Sequence, residues 1–419
     1  MRIVADFHIH SPYARAVSKE MTLENLDYWA GLKGITVMGT GDFTHPAWIK
    51  EIKTKLEPAE QGLYKIKNKI SNIKNSETRF LLTVEISSIY SKGGKTRRIH
   101  TLIFAPSIET AEKINAALGW QGNLKSDGRP ILGLDAKLLA KTVFDIDARC
   151  MVVPAHCWTP WFAIFGSMSG FDSIEECFDD YAKYIYAVET GLSSDPAMNW
   201  RWSKLDSIAL LSNSDSHSLQ KIGREANVFD TEFSYDSIMG AIKSRDPRRF
   251  LFTIEFFPEE GKYHYDGHRA CGFSSAPEET KKLNKLCPKC GKPLTIGVLY
   301  RVAAIADRPP GGAPASVIPY KNLVPLNEII AEAFAMGTSA QRVKNEYMNS
   351  IEKIGSEVAV LVDAHASDLE RATTPEVAEG ISRVREGRLH IEPGYDGEYG
   401  RIKIFKEGER PAAAQASLF

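Results

Sequence analysis

The chain has 419 residues, 52 Lys plus Arg against 53 Asp plus Glu, a net charge of −1, and 43% hydrophobic residues. This is the composition of an ordinary globular protein with room for two or three domains. No apolar run reaches the roughly 18 residues that span a bilayer, the start MRIVADFHIH carries no signal-like apolar core, and the balanced charge argues against a uniformly basic nucleic-acid binder while allowing local basic patches. The expected compartment is therefore the cytoplasm, with no membrane partner.

Residues 1 to about 250 alternate between strand and helix patterns. Strands are expected at 2–9, 36–39, 80–90, 98–104, 151–154, 186–189 and 208–212. Helices are expected at 23–32, 46–56, 108–118 and 172–184. Such alternation predicts parallel βα units in a barrel or an open sheet. Cys150, Cys157 and Cys177 sit among apolar residues and are expected to be core thiols.

The chemistry gathers at strand ends. His8 and His10 close the first strand, spaced two apart and so expected on one face with Asp6. Asp42 and His45 follow the second strand, His156 the fifth, Glu189 ends the sixth, and Asp215 and His217 follow the seventh. In parallel α/β folds active sites collect at the carboxyl ends of strands, so this placement predicts one shared rim. Glu85 and His100 flank a loop with Gly93-Gly94 at its tip. A two-residue turn there would set Glu85 opposite Leu102 and His100 opposite Ser87, leaving Glu85 and His100 diagonal neighbours on one face. Imidazole with carboxylate suits Zn, Mn or Fe, and this many ligands at one mouth predicts two or more ions. Among the acids, Asp42, Glu189 and Asp195 are expected to take part in catalysis, with Asp195 a ligand or a water-orienting base.

Beside this rim, Lys92, Lys95, Arg97 and Arg98 at the hairpin tip, and Arg245, Arg248 and Arg249 further on, could contact phosphates or simply be solvated. Trp158, Trp161, Phe162 and Phe165 could stack on an extruded base or be helix core. From 256 to 319 Gly, Pro and Cys break the pattern. His268-x2-Cys271 and Cys287-x2-Cys290-Gly, 15 residues apart, have the spacing of a structural zinc site, with His264 as an alternative fourth ligand. Such a zinc would fold a segment too small to fold otherwise. Helical patterns return at 326–335 and 340–359, a turn and strand are expected at 394–405, and the end is a polar tail finishing Gln415-Ala416-Ser417-Leu418-Phe419. The expected division is 1–255, 256–319, 320–407 and a tail, 408–419.

The order DFHIHS, GTGDFTH, TVEIS, His100, PAHCW, SDSH resembles the PHP (polymerase and histidinol phosphatase) family. That resemblance implies an α/β fold, a distorted β/α barrel of seven strands. It implies one metal among His8, His10, Glu85 and Asp215, a second bridged by Glu85 and held by His100 and His156, and a third near His45 with His217. Two departures stand out. The family's adjacent Asp-His is here Asp42-Phe43-Thr44-His45, and its acid or His a few residues beyond HxH is replaced by Tyr13, Ala14 or Arg15.

A barrel, a knuckle, a helical region and a short clamp-binding tail, together with CPKCGKPLTIGVLYRV and PGYDGEYG, resemble the endonuclease Q family over nearly the whole length. The tail looks like the sliding-clamp (PCNA) motif of archaeal replication and repair proteins, with Gln415 in a polar pocket and Leu418 and Phe419 in an apolar one. The resemblance implies a DNA-repair nuclease; the damaged nucleotide is expected to be flipped between the barrel and the later domains, and the protein to be nucleoid-associated. It would cut 5′ of uracil, hypoxanthine, xanthine and abasic sites and leave a 3′-hydroxyl, using two or three divalent ions (Zn, Mn or Mg) and one structural zinc. The rival readings are a small-molecule phosphoesterase on the same barrel and a non-catalytic DNA or clamp adaptor.

Overall fold

The computed structural model describes residues 1–67, 78–406 and 408–410. The first strand, Arg2–Asp6, runs parallel to Val37–Gly39, which in turn runs parallel to the start of Arg79–Lys92. The intervening helix Leu23–Lys33 begins at Thr22, whose hydroxyl accepts the Asn25 N–H and so satisfies one of the unpaired amides of the first turn.

After these units the simple alternation ends. Arg79–Lys92 folds back on Lys95–Ala105 through Gly93 and Gly94, at φ 61° and 71°, the paired left-handed geometry of a tight hairpin. Glu85 lies opposite Leu102 and Ser87 opposite His100, the register the turn predicts. Lys95–Ala105 then pairs antiparallel with Met151–Pro154, while Ala187–Glu189 and Ala209–Leu211 make a separate parallel pair. Two strands that the alternation does not signal, Ala226–Asp230 and Phe250–Glu255, add antiparallel to the other side of Arg2–Asp6, with Tyr320–Asn322 at the edge. The sheet is therefore mixed, and among the described residues its pairing yields no count of seven strands.

Side chains alternate across this curved sheet. Ile3, Ala5, Leu81, Leu102, Phe104, Met151, Val153, Ala187 and Leu211 form the inner core, and Val4, Phe80, Leu82, Val84 and Ile86 pack outward against the helices. The odd-numbered face that buries Leu81 also carries Glu85, and the even-numbered face that buries Leu102 and Phe104 carries His100. The expected helix at 172–184 is broken. Ile174–Phe178 is α-helical, Asp179 turns to φ 47°, and Asp179–Tyr184 continues as a 3-10 helix. Asp179 there meets Lys92 and Lys137. The helix Ala136–Ile146, capped by Asp135, was not expected.

Beyond the sheet come the hairpin Asp266–His268 with Phe273–Ser275 and the short helices Pro277–Lys282 and Val298–Ile305. Helices Leu326–Ala333, Gln341–Ile354, Ala366–Ala372 and Pro375–Arg385 follow, then the hairpin His390–Glu392 with Arg401–Lys403. This helical part is fastened to the sheet layer by a buried ion pair, Lys33 Nζ to Glu357 Oε2 at 2.6 Å, and Glu357 also accepts the Tyr347 hydroxyl and the Leu326 N–H. Among the described residues no helix is long and apolar enough to cross a membrane.

Candidate metal centre

The first strand stops at Asp6, whose carboxylate turns to the N–H groups of Ser214 and Gly223 rather than to the rim. The chain then leaves the regular pleat, and Ile9 bridges to Ser216. That bridge brings the HxH segment beside Asp215 and His217. Three groups of ligand atoms result, each mutually within 4.8 Å: His8, His10 and Glu85; His10, Asp215 and His217; Glu85, His100 and His156. Glu85 sits between the first and third groups, 3.4 Å from His10 Nε2, 2.7 Å from His100 Nδ1 and 3.1 Å from His156 Nε2. His156 and Asp215 both adopt left-handed backbone geometry, φ 29° and 47°, a strain of the kind stored at functional sites.

The electrostatics ask for a cation. Burial opposes charging His8 and His10, yet the surrounding carboxylates outweigh it and both imidazoles are held well above their usual pKa, by Glu189, Glu85 and Asp215 for His8 and chiefly by Asp42 and Asp215 for His10. Burial would likewise raise Glu85 and Asp215, but the neighbouring imidazoles and Arg129 hold Glu85 well below the carboxylate range, and His8 and His10 hold Asp215 below it. His8 Nε2 is buried with no hydrogen-bond partner, 3.6 Å from both Glu85 and Asp215. An orphaned imidazole nitrogen aimed between two buried carboxylates fits a divalent ion that takes nitrogen and oxygen ligands.

Of the three acids expected in catalysis, two stand behind ligand imidazoles and one caps a helix. Glu189 meets His8 Nδ1 at 3.0 Å and accepts the His156 N–H at 2.8 Å and the Asn213 amide at 3.0 Å. Asp42 meets His10 Nδ1 at 3.0 Å and accepts both the N–H and hydroxyl of Ser11. Each carboxylate grips the ring nitrogen on the far side of a candidate ligand, which would fix the tautomer and leave the other nitrogen free for a bound ion. Asp195 is outside the centre. Its carboxylate caps the helix Pro196–Trp200 by accepting the Met198 N–H, and burial pushes its pKa up to about 6. His45 is also outside the three groups, because its ring stacks on Tyr13 at 4.4 Å; Tyr13 stands just beyond HxH, where the family pattern has an acid or His.

The nucleic-acid expectations divide in the same way. Lys92 is committed to Cys177 O and Asp179, and Arg97 to Gly170 O and the face of Phe171. Lys95 is exposed at the hairpin tip, and Arg98 lies over Phe162. Arg245, Arg248 and Arg249 are bound to Asp206 O, Asp246 and Ser237 O. Trp158 is no stacking platform: it is 1% exposed, donates to Asn199 Oδ1 at 2.7 Å and packs on Phe165 and Trp202. Phe165 is equally buried, whereas Trp161 is half-exposed with its ring edge-on to Tyr263. Cys150, Cys157 and Cys177 are buried thiols. The tail residues Gln415, Leu418 and Phe419 lie outside the described residues.

A second cluster stands apart. His268, Cys271, Cys287 and Cys290 bring one ligand atom each within 4.8 Å of the others, with Cys290 Sγ 3.4 Å from His268 Nδ1. His264, the alternative, is buried elsewhere with its Nδ1 unpartnered. Three thiols and an imidazole with no position left open suit a structural zinc.

No motif in the chain points to Arg129. Its Nη1 donates to Glu85 Oε2 at 2.9 Å, and Glu85, against the cost of burial, strengthens its charge.

Fold and ligand set together define a mixed α/β protein with a candidate divalent-metal centre at its rim. A family model described as the MJ0043 C-terminal domain matches residues 325–388. The uncharacterized protein YqxK of Bacillus subtilis is 31% identical over 414 residues, covering 96% of this chain and 99% of its own length. The uncharacterized protein MJ0043 of Methanocaldococcus jannaschii is 34% identical over 260 residues, 59% of this chain, which spans only 31% of that longer protein. Two crystal structures superpose with a TM-score of 0.85. One is the novel lesion-specific endonuclease PfuEndoQ from Pyrococcus furiosus, at 32% identity over 97% of this chain and 96% of that one. The other is an endonuclease Q complex with a 27-mer duplex substrate carrying an abasic lesion at the active site, at 31% identity over 99% of both chains. The chain belongs to the endonuclease Q family.

Proposed function

We propose that this chain is a metal-dependent endodeoxyribonuclease of DNA repair that incises the phosphodiester 5′ of uracil, hypoxanthine, xanthine and abasic sites and leaves a 3′-hydroxyl. The observation that carries the chemistry is the sharing of His10 and Glu85 among three ligand groups at one mouth. The full-length likeness to an endonuclease Q structure holding an abasic duplex supports damaged DNA as the substrate.

In this reading His8, His10, Glu85, His100, His156, Asp215 and His217 hold two or three divalent ions, Zn, Mn or Mg. Such ions supply the charge that activates water and neutralises the leaving oxygen in phosphoryl transfer. The protein's own part is positioning. Glu189 and Asp42 lock the rings of His8 and His10, and the buried carboxylates keep the mouth selective for cations. The lesion nucleotide is flipped out of the duplex. A cavity of about 700 Å³ offers it room, lined by Leu192 and Ser218 from the loops after Glu189 and His217 and by Phe256, Glu260, Asn327 and Tyr399 from later in the chain. Lys95 and Arg98 are the basic residues of the hairpin left to meet phosphates. The tail, through Gln415, Leu418 and Phe419, docks on the sliding clamp (PCNA), and the protein works in the cytoplasm on the nucleoid.

The test is incision of end-labelled duplexes carrying one uracil, hypoxanthine, xanthine or abasic site, with Mn, Mg or Zn and with chelator. Expected is a single product ending 5′ of the lesion, absent from undamaged duplex and from chelated enzyme. Equal cutting of undamaged DNA, or metal-independent cutting, would end the proposal.

A further inference from the structure

The guanidinium of Arg129 is built into the mouth of the centre with more precision than an ion pair needs. It sits on the loop before the short strand Ile131–Leu132. Asp127 Oδ1 accepts the N–H groups of Arg15 and Arg129, tying the loop to the segment just after HxH. The Gly128 N–H donates to Tyr13 O at 3.1 Å. A side chain at Gly128 is excluded, since its Cβ would fall 2.3 Å from Asp42 Oδ2, the carboxylate that grips His10. On the other side Pro130 O accepts the Ser87 N–H at 3.0 Å, two residues beyond Glu85 on its strand, and Ile131 and Leu132 then pair with Ser87 and Ser88.

This scaffold delivers one positive charge to the one carboxylate that two ligand groups share. Arg129 Nη1 lies 2.9 Å from Glu85 Oε2, and Asp215 adds a second attraction. Glu85 is fully buried, yet the Arg129 side chain remains 27% exposed. Among the described residues its other guanidinium N–H groups have no protein partner. Guanidinium is a rigid fork with five donors, so one edge can hold Glu85 while the other meets a second oxyanion. At the mouth of a phosphodiester-cleaving centre the oxyanion of matching geometry is a phosphate.

We infer that Arg129 is a catalytic residue that binds the non-bridging oxygens of the scissile phosphate and stabilises the charge they gain as the water oxygen bonds to phosphorus; that charge passes to the 3′-oxygen as its bond to phosphorus breaks, and the proton given up by the water leaves this oxygen as a hydroxyl. It rests on the phosphodiesterase reading of the same site. The free edge of the fork takes up the phosphate, and the edge on Glu85 fixes where that phosphate stands relative to the ligands. A single guanidinium in such a position is worth on the order of 10²–10⁴-fold in rate.

The experiment compares the full chain with Arg129→Ala and Arg129→Lys. Metal content by elemental analysis and equilibrium binding to an uncleavable phosphorothioate abasic duplex are read beside single-turnover incision. Expected for Arg129→Ala is a rate loss of at least about a hundredfold with metal content unchanged, duplex binding within about fivefold, and partial rescue by millimolar guanidinium but not by ammonium. Arg129→Lys should retain part of the rate and gain nothing from guanidinium. Loss of bound metal in Arg129→Ala, or a rate within threefold of the parent, overturns the inference, the former by reducing Arg129 to a support for Glu85. If the parent cuts no damaged duplex, the proposed substrate has failed, and the same comparison on bis(p-nitrophenyl) phosphate still decides the role of Arg129. No parental turnover on either ester overturns both.

Discussion

The rim centre and the knuckle at 268–290 are both clusters of side chains able to ligate a metal, but they are assembled in opposite ways. The knuckle gathers its four ligands from 23 consecutive positions, His268 to Cys290, and leaves Cys290 exposed and His268 half-exposed. The rim gathers seven from across residues 8 to 217, and places His8, His10, Glu85 and His100 at 6% exposure or less. A local cluster in a short segment with little core has its order supplied by the ion. A dispersed cluster on a packed sheet has its order supplied by the fold, and the ion is then free to do chemistry. Metal removal should therefore cost the knuckle its shape and the rim its activity.

The strongest way to break that contrast is to damage the rim. Glu85→Gln should lower incision of an abasic duplex by at least about a thousandfold, because it weakens two ligand groups at once. The far-ultraviolet circular dichroism and the knuckle zinc should stay as they are. Collapse of the whole fold in this variant would mean that the rim, too, is built by its ions. The converse change is Cys287→Ser. It should remove one zinc per chain and raise the rate of proteolytic cleavage within 262–296 by about tenfold or more, while the barrel melts as before. Unchanged protease resistance would show that the segment folds without metal.

The carboxylates behind the ligands refine the comparison. In the rim, Asp42→Asn and Glu189→Gln should each weaken metal binding by about 10–100-fold, measured by competition with a chromophoric chelator, because each loosens an imidazole without removing it. The knuckle has no such outer carboxylate among its described contacts, and its zinc should be untouched by either change.

Much of the rim was legible in the sequence, and the reason is local. Gly93-Gly94 fixes a hairpin turn, and the turn fixes the register that puts Glu85 and His100 on one face. The zinc spacing is likewise a property of a few consecutive residues. What was not legible depends on distant packing. The acid that caps a helix, Asp195, and the acid that grips a ligand, Glu189, look alike in the chain, and only the approach of His8 across 181 positions separates them. Trp158 follows a ligand directly but is claimed by Asn199, Phe165 and Trp202. His45 is diverted by Tyr13. Arg129 carries no motif, and its loop is placed by the hydrogen bonds of Gly128 to Tyr13, Arg15 to Asp127 and Ser87 to Pro130. The strands Ala226–Asp230 and Phe250–Glu255 were missed because they join the sheet antiparallel, outside the βα rhythm.

The smallest expected effect tests what a buried carboxylate costs where no imidazole or ion answers it. Behind the rim, Glu255 is fully buried, hydrogen-bonded to the hydroxyls of Thr190 and Thr253, and faces the acids Glu225 and Asp195. Burial, together with the charge of Asp195 and against those hydroxyls, pushes its pKa up to about 8. The folded state thus keeps a proton that the unfolded chain releases near its ordinary value of 4.5. The stability this proton brings is complete below that value, declines as pH rises, and is lost once pH passes the folded pKa. Glu255→Gln removes the titration and keeps the side-chain shape. Its Tm relative to the parent should therefore climb between pH 5.5 and 8.5 by a few degrees, roughly the shift that 1–2 kcal/mol produces in a chain of this size. Glu225, raised by burial and by Glu255 itself, keeps some of the slope in the variant. A Tm difference that is flat with pH would mean that Glu255 is already ionised in the fold, and that this part of the barrel tolerates bare negative charge as the rim does only with its imidazoles.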